Sequence, residues 1–112
     1  ATVRQWHALT AGAMNVGHRL GGGVCVLDVD PRHGGDVALG RLQEQHGPLP
    51  RTPQVATGGG GTHYYFRCPP GLRTFTVEGD GLQVKGENSY VVAPPSAHAS
   101  GLAYRWVLAP DG

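Results

Sequence analysis

The 112-residue sequence predicts a single α+β domain with a mainly antiparallel sheet, and three observations carry that expectation. Short β-branched and aromatic runs outnumber helical patterns. Few of these runs alternate with helices, as a parallel sheet would require. Nineteen Gly and nine Pro, a quarter of the chain, fall between the apolar runs as turn signals rather than as a low-complexity tract. With 39% hydrophobic and 15% charged residues, the chain has the apolar surface for one modest core, which excludes a charge-driven disordered tail.

The elements follow in order. Thr2 is placed to cap a short helix over residues 3–9. Residues 15–18 read as a short strand, and Gly21, Gly22 and Gly23 as a tight turn. The clearest strand spans 24–30, nearly continuously apolar and stopped by Pro31. Asp36 is the expected cap of a helix running to about His46, with Ala38, Leu39 and Leu42 on one face and Gly47-Pro48 as the stop. Residues 54–56 and 63–67 read as two strands joined by the glycine turn 58–61. Residues 82–85 and 89–93 form a further strand pair joined by Gly86-Glu87-Asn88, and Pro94-Pro95 ends the second. A last strand covers 104–107.

Net charge is +1 with the six His neutral, which excludes the broad basic field of a strong autonomous DNA binder. Cys25 and Cys68 are expected as reduced thiols in or beside the sheet. No stretch approaches the ~20 apolar residues needed to span a membrane, and no signal-peptide pattern opens the chain, so a cytoplasmic location is expected. The sequence begins without Met and inside a helix-like segment, as an excised or naturally shortened fragment would.

Three clusters carry chemistry. In a strand, Asp28 and Asp30 point to one face, roughly 6.5–7 Å apart. Two carboxylates there repel each other and are costly to bury unpaired. Hard divalent cations remove that penalty, and phosphoryl-transfer sites use a pair of them. The alternative is a strand that ends at the surface, with Asp-Pro opening a turn and Asp28 paired to an Arg. The second cluster, Gly58 to Gly61 followed by Thr62-His63, exposes backbone N–H groups to an anion, with His63 placed to donate a hydrogen bond. It lacks the Lys-Ser or Lys-Thr of a P-loop, and its alternative is a flexible hairpin tip. The third is Lys85, Ser96 and His98: a charge for phosphates, and two polar residues behind a rigid Pro94-Pro95. Alone, each reads equally as a solvated surface residue. The His and Cys spacings give no structural zinc site.

Taken together, three strings resemble the bifunctional primase-polymerase family of the archaeo-eukaryotic primase superfamily, common in phages, plasmids and bacterial mobile elements. They are Val26-Leu27-Asp28-Val29-Asp30-Pro31-Arg32-His33-Gly34-Gly35-Asp36, Thr57-Gly58-Gly59-Gly60-Gly61-Thr62-His63-Tyr64-Tyr65-Phe66, and Gly81-Leu82-Gln83-Val84-Lys85-Gly86 running into Tyr90-Val91-Val92-Ala93-Pro94-Pro95-Ser96-Ala97-His98. Order and spacing match over about residues 12–107. The resemblance implies an RRM-like antiparallel sheet with flanking helices, lacking the N-terminal portion of the family fold. It implies template-directed nucleotidyl transfer, with Asp28 and Asp30 binding Mg²⁺ or Mn²⁺ and Gly61 and His63 at the incoming nucleotide's phosphates. Lys85, Ser96 and His98 would add nucleotide contacts. Implied partners are nucleoside triphosphates, a DNA template and primer, and a helicase elsewhere in the protein.

The sequence departs from the family at one position. The third metal-binding carboxylate falls on Gln83. A carboxylate is charged and can bridge two metals, whereas an amide offers one neutral oxygen, so binding of the second metal should weaken. Glu87 has the same strand parity but lies ~13 Å from position 83 in an extended chain. A second expectation therefore stands beside catalysis: a degenerate module that binds nucleotide or nucleic acid without turnover.

Overall fold

The computed structural model describes residues 16–110; the helix expected over 3–9 lies outside them. Within them the chain forms β1 (Val16–Arg19), β2 (Val24–Val29), a 3-10 turn (Pro31–His33), helix α1 (Gly35–His46), β3 (Gln54–Ala56), β4 (Thr62–Arg67), β5 (Phe75–Glu78), β6 (Leu82–Lys85), β7 (Tyr90–Ala93) and β8 (Arg105–Leu108). Six strands make one sheet in the order β5-β6-β2-β4-β3-β8, and β1 pairs with β7 in a second. Every pairing is antiparallel, as the α+β expectation required. No helix of the described residues is long and apolar enough to cross a membrane.

Strand β2 is the middle of this arrangement. It is bonded to β4 on one side and to β6 on the other. Its alternate residues enter two separate cores. Val26 joins Leu20, Val55, Tyr65 and Val91 under the small sheet, while Leu27 and Val29 join Ala38, Leu39 and Leu82 under α1. Burial on both faces is why the strand reads as almost uninterrupted apolar sequence. Strands β2 and β3 run parallel with β4 between them, and α1 makes the crossover.

Three expectations need correction. The helix is capped by Gly34 in a left-handed conformation (φ 79), with no side-chain cap bond. Asp36 lies instead in the first turn, where its charge suits the positive end of the helix dipole. The 3-10 turn after β2 delivers the chain to the helix two residues earlier than a cap at Asp36 would. Next, 82–85 and 89–93 are not a hairpin. β6 pairs with β2 and β5, whereas β7 crosses to β1. Asn88, at φ 68, helps turn the chain out of the large sheet. Finally, β5 had no counterpart in the sequence reading. It is an edge strand with Phe75 47% and Val77 38% exposed, so it shows no buried alternation to detect.

Both cysteines are free thiols, Cys25 buried and Cys68 half-buried. Burial, followed by a hydrogen bond and charge interaction with Cys68, pushes the Cys25 thiol up to about 11.

One packing contact fixes the start of α1 against the start of β6. A Cβ on Gly35 would lie 1.9 Å from the Gly81 carbonyl oxygen and 2.8 Å from the Asp30 nitrogen. The backbone there is tied by Asp30 N–H donating to Gly81 O (2.8 Å) and Gly35 N–H donating to Asp30 O (2.9 Å). Gly40, in the same helix, has nothing within 4 Å of where a Cβ would sit. Thermal melts should therefore separate the two glycines. Gly35→Ala is expected to destabilise by about 2–4 kcal/mol through overpacking. Gly40→Ala should stabilise by about 0.5–1 kcal/mol from helix propensity and lost unfolded-state entropy. Equal effects would contradict the packing described.

Candidate functional site

The register of the large sheet assembles one row of polar side chains across three strands. Asp28 of β2 is paired directly with His63 of β4 and with Gln83 of β6. Directly paired residues project to one face, so all three share the face that carries Val26. Val26 is covered by the small sheet, whereas Asp28, two residues on, keeps 30% of its side chain exposed. The cover ends between these two positions. An open cleft of about 190 Å³ begins there, lined by Asp28, Asp30, Gly61 and His63 together with Arg32 and His98.

Each side chain is held differently. His63 is 7% exposed, and its Nε2 lies 3.4 Å from Asp28 Oδ1. Its Nδ1 is buried with no hydrogen-bond partner among the described residues, a costly state for a polar atom. Among the described residues, His63 is the one basic side chain within ion-pair range of Asp28. Asp30 caps the 3-10 turn through Oδ1, which accepts from the Arg32 N–H at 3.0 Å. Its Oδ2 accepts from His33 Nδ1 at 2.8 Å, and Arg32 Nε stands 3.6 Å from Oδ1. The His33 hydrogen bond, reinforced by the Arg32 N–H and both cationic side chains, holds the Asp30 carboxyl below the ordinary carboxylate range.

The glycine loop and a second excursion close the opposite wall. Gly61 N–H donates to Thr57 Oγ1 (2.9 Å), and the Ser100 hydroxyl donates to Gly58 O (2.9 Å). His98 packs so tightly on this loop that a Cβ at Gly58 would lie 2.3 Å from its own. Ser100 N–H donates to His98 Nδ1 at 3.0 Å, which makes Nδ1 the acceptor and leaves Nε2 as the donor. That Nε2 and Arg32 Nη2 would stand 3.2 and 3.4 Å from a Cβ at Gly59. One donor, His98, thus faces the carboxylates while Arg32 stands beside Asp30, around a space of about 190 Å³ that is smaller than the roughly 300 Å³ at which small-molecule pockets begin. The space suits a phosphate group.

The residues singled out from sequence are therefore distributed unevenly. Asp28, Asp30, Gly61, His63 and His98 line the cleft, and Gln83 sits beside Asp28 in the row. Lys85 shares the Gln83 face but pairs with Val26, one row away, and does not line it. Ser96 is fully buried, with its hydroxyl oxygen accepting from Val16 N–H (2.6 Å) and its hydroxyl donating to Val16 O (3.3 Å). Arg32 and Tyr104 were missed as lining residues. Arg32 had a signal in its nearness to the Asp pair. Tyr104 is brought in only by the excursion 96–104, which no local pattern announces.

The cleft lining at the end of β2 offers oxygen ligands in the Asp28 and Asp30 carboxylates, and Gln83, paired with Asp28 in the ladder, lies outside that lining. That chemistry fits a hard divalent cation such as Mg²⁺ or Mn²⁺. Among the described residues no group of three or more His, Cys, Asp and Glu side chains gathers to hold an ion. The amide stands in the row where a third carboxylate would complete such a group. Over residues 1–111 the sequence matches the family model described as bifunctional DNA primase/polymerase, N-terminal. No curated protein and no solved structure matches the chain.

Because the folded-state pKa of Asp30 lies below its unfolded value of 3.8, the carboxylate contributes stability at pH above that value. The contribution is lost as pH falls through the lowered folded pKa. Carbon-detected NMR titration of the Asp30 carboxyl should give a midpoint under 3.8, moving back toward it in His33→Ala. A midpoint that His33→Ala leaves in place would show that the His33 bond is not its cause.

Proposed function

The chain belongs to the bifunctional DNA primase/polymerase N-terminal family, and we propose that its carboxylate cleft carries out template-directed nucleotidyl transfer. The family performs nucleotidyl transfer of the primase and polymerase kind, acting on nucleotides and DNA, typically with divalent metals. The single observation that carries the reading to this chain is the row His63–Asp28–Gln83 opening beside Asp30 onto two phosphate-sized donors, Arg32 and His98.

In this reading Asp28 and Asp30 hold Mg²⁺ or Mn²⁺, with the Gln83 carbonyl as a weak third oxygen. When bound, the cation supplies Lewis-acid charge to the phosphate oxygens. Arg32, beside Asp30, and the Nε2–H of His98, on the opposite wall, bind triphosphate oxygens. The bare α-carbon of Gly59 lets the phosphates come close to the loop, while that of Gly61 lets the loop pack on β2, where a Cβ would stand 2.6 Å from Val29 O. His63 gives up its contact with Asp28 and turns its donor toward the incoming nucleotide. A primer 3′-hydroxyl then attacks the α-phosphorus, its proton passes to solvent, and pyrophosphate leaves. Catalysis is mainly positioning and charge neutralisation. A helicase acting with this domain belongs to the same reading.

A second reading, nucleotide or nucleic-acid binding without turnover, is favoured by one specific observation. Gln83 is the direct partner of Asp28, so the missing negative charge falls in the row itself. Primer extension with Mn²⁺ decides between them. Catalysis predicts extension by the parent chain, reduced about 10²-fold or more in Asp28→Asn. Gln83→Asp should lower stability without metal by adding repulsion in the row, and respond more strongly to Mn²⁺. A ligand that binds only the folded state stabilises by about 2.7 kcal/mol at a hundredfold excess over Kd. A Gln83→Asp protein whose melting temperature answers Mn²⁺ no more than the parent's would remove position 83 from the metal site.

A further inference from the structure

A second opening, an open groove of about 590 Å³, lies at the other end of the large sheet from the carboxylate cleft. Strands β2 and β4 run from one to the other. Val24 and Arg67, paired at the groove end, lie four residues from the paired Asp28 and His63, or roughly 13 Å at the rise of a strand. The core formed by Leu20, Val26, Val55, Tyr65 and Val91 separates the two openings. The groove is thus a distinct feature, and the reaction proposed above makes no use of it.

Its lining combines cations with aromatic rings. Arg51, Arg67 and His18 are exposed, and no Asp or Glu lines the groove. Trp106 of β8 is half-buried, with its ring 5.5 Å from that of Tyr65 and tilted by 45°. Tyr65 is itself held by its hydroxyl, 3.2 Å from His18 Nδ1, and by the Thr52 hydroxyl, which donates to its backbone oxygen. Trp106 therefore presents a ring on a braced backing in a groove that Arg51 and Arg67 also line. Stacking surface plus backbone-neutralising charge is the chemistry that holds single-stranded nucleic acid without reading its sequence. The groove thus carries two cations with no acidic residue in its lining, although the chain as a whole is nearly neutral at +1.

We infer that the groove formed by Arg51, Arg67 and Trp106 binds a single-stranded segment of nucleic acid, separately from the nucleotide cleft. The choice of ligand rests on the nucleotidyl-transfer reading, which requires a strand to be present. The aromatic ring takes one base, and the guanidinium groups take the phosphates on either side of it.

The test uses a short fluorescein-labelled oligothymidylate and fluorescence anisotropy in EDTA, with no nucleotide added, so the carboxylate cleft plays no part. The parent chain should bind with salt-dependent affinity. The double variant Arg51→Glu/Arg67→Glu should weaken binding about tenfold or more and lower the salt slope by about 1.4, twice the single-strand value of roughly 0.7 per phosphate. Trp106→Ala should weaken it roughly five- to hundredfold, the range of one lost base stack. Since Trp106 also packs on a core, Trp106→Phe is made beside it and should keep most of the affinity. An unbound parent, or a charge-reversed variant with unchanged affinity and salt slope, would overturn the inference. So would thymidine monophosphate competing as well as the oligonucleotide, which would make the groove a single-nucleotide site. Oligonucleotide binding without any Mn²⁺-dependent extension would instead overturn the transfer reading and leave the groove standing.

Discussion

Strand β2 is hydrogen-bonded on both edges and covered on both faces, and the rest of the molecule is arranged around that constraint. A strand enclosed in this way cannot slip in register, because a one-residue shift would exchange its two cores. Val26 would have to trade places with Leu27, and Asp28 would be driven under α1. The position of Asp28 is thus fixed by apolar packing that it takes no part in. His63 and Gln83 inherit their positions from the same register, through one ladder each. Functional geometry of this kind is rigid because it rests on a sheet interior rather than on loops.

What the sequence disclosed and what it withheld follow the same physics. Strands buried on alternate or both faces left a pattern, so β2, β3, β4 and β6 were legible close to their observed ends. Strand β5 left none, since Phe75 and Val77 remain exposed at the sheet edge. Partnership was harder to read than existence. The pair 82–85 and 89–93 looked like a hairpin because the linker between them is short. Yet the strand at Tyr90 finds its bonds with β1, a segment some seventy positions earlier. Long-range pairing carries no local signature. Within the cleft, Asp28, Asp30 and His63 were visible as strand-borne residues at regular spacing. Arg32 and Tyr104 depend on a 3-10 turn and an irregular excursion, and their roles emerge only from folded geometry.

The Asp30 corner shows how several weak local preferences are combined into one firm structure. Pro31 begins the turn, Gly34 admits the left-handed cap, and Gly35 passes against Gly81 where no side chain fits. The same few residues stop β2, start α1 and anchor β6. They also orient a carboxylate, through hydrogen bonds to its own turn. Structural and chemical duties are therefore not separable here, and a change made for one will register in the other.

The excursion between Ser96 and Tyr104 is organised in the opposite way. It leaves the small sheet at Ser96, whose buried hydroxyl is clamped to Val16, and returns to the same residue when Tyr104 N–H donates to Ser96 O at 2.8 Å. Departure and return share one anchor, so the intervening segment contributes little to either sheet while carrying His98 and Tyr104 over the cleft. A segment so placed is a closed loop seated on the glycine turn through His98 and Ser100. Substitutions within it would reshape the mouth of the cleft while the strands beneath keep their pairing.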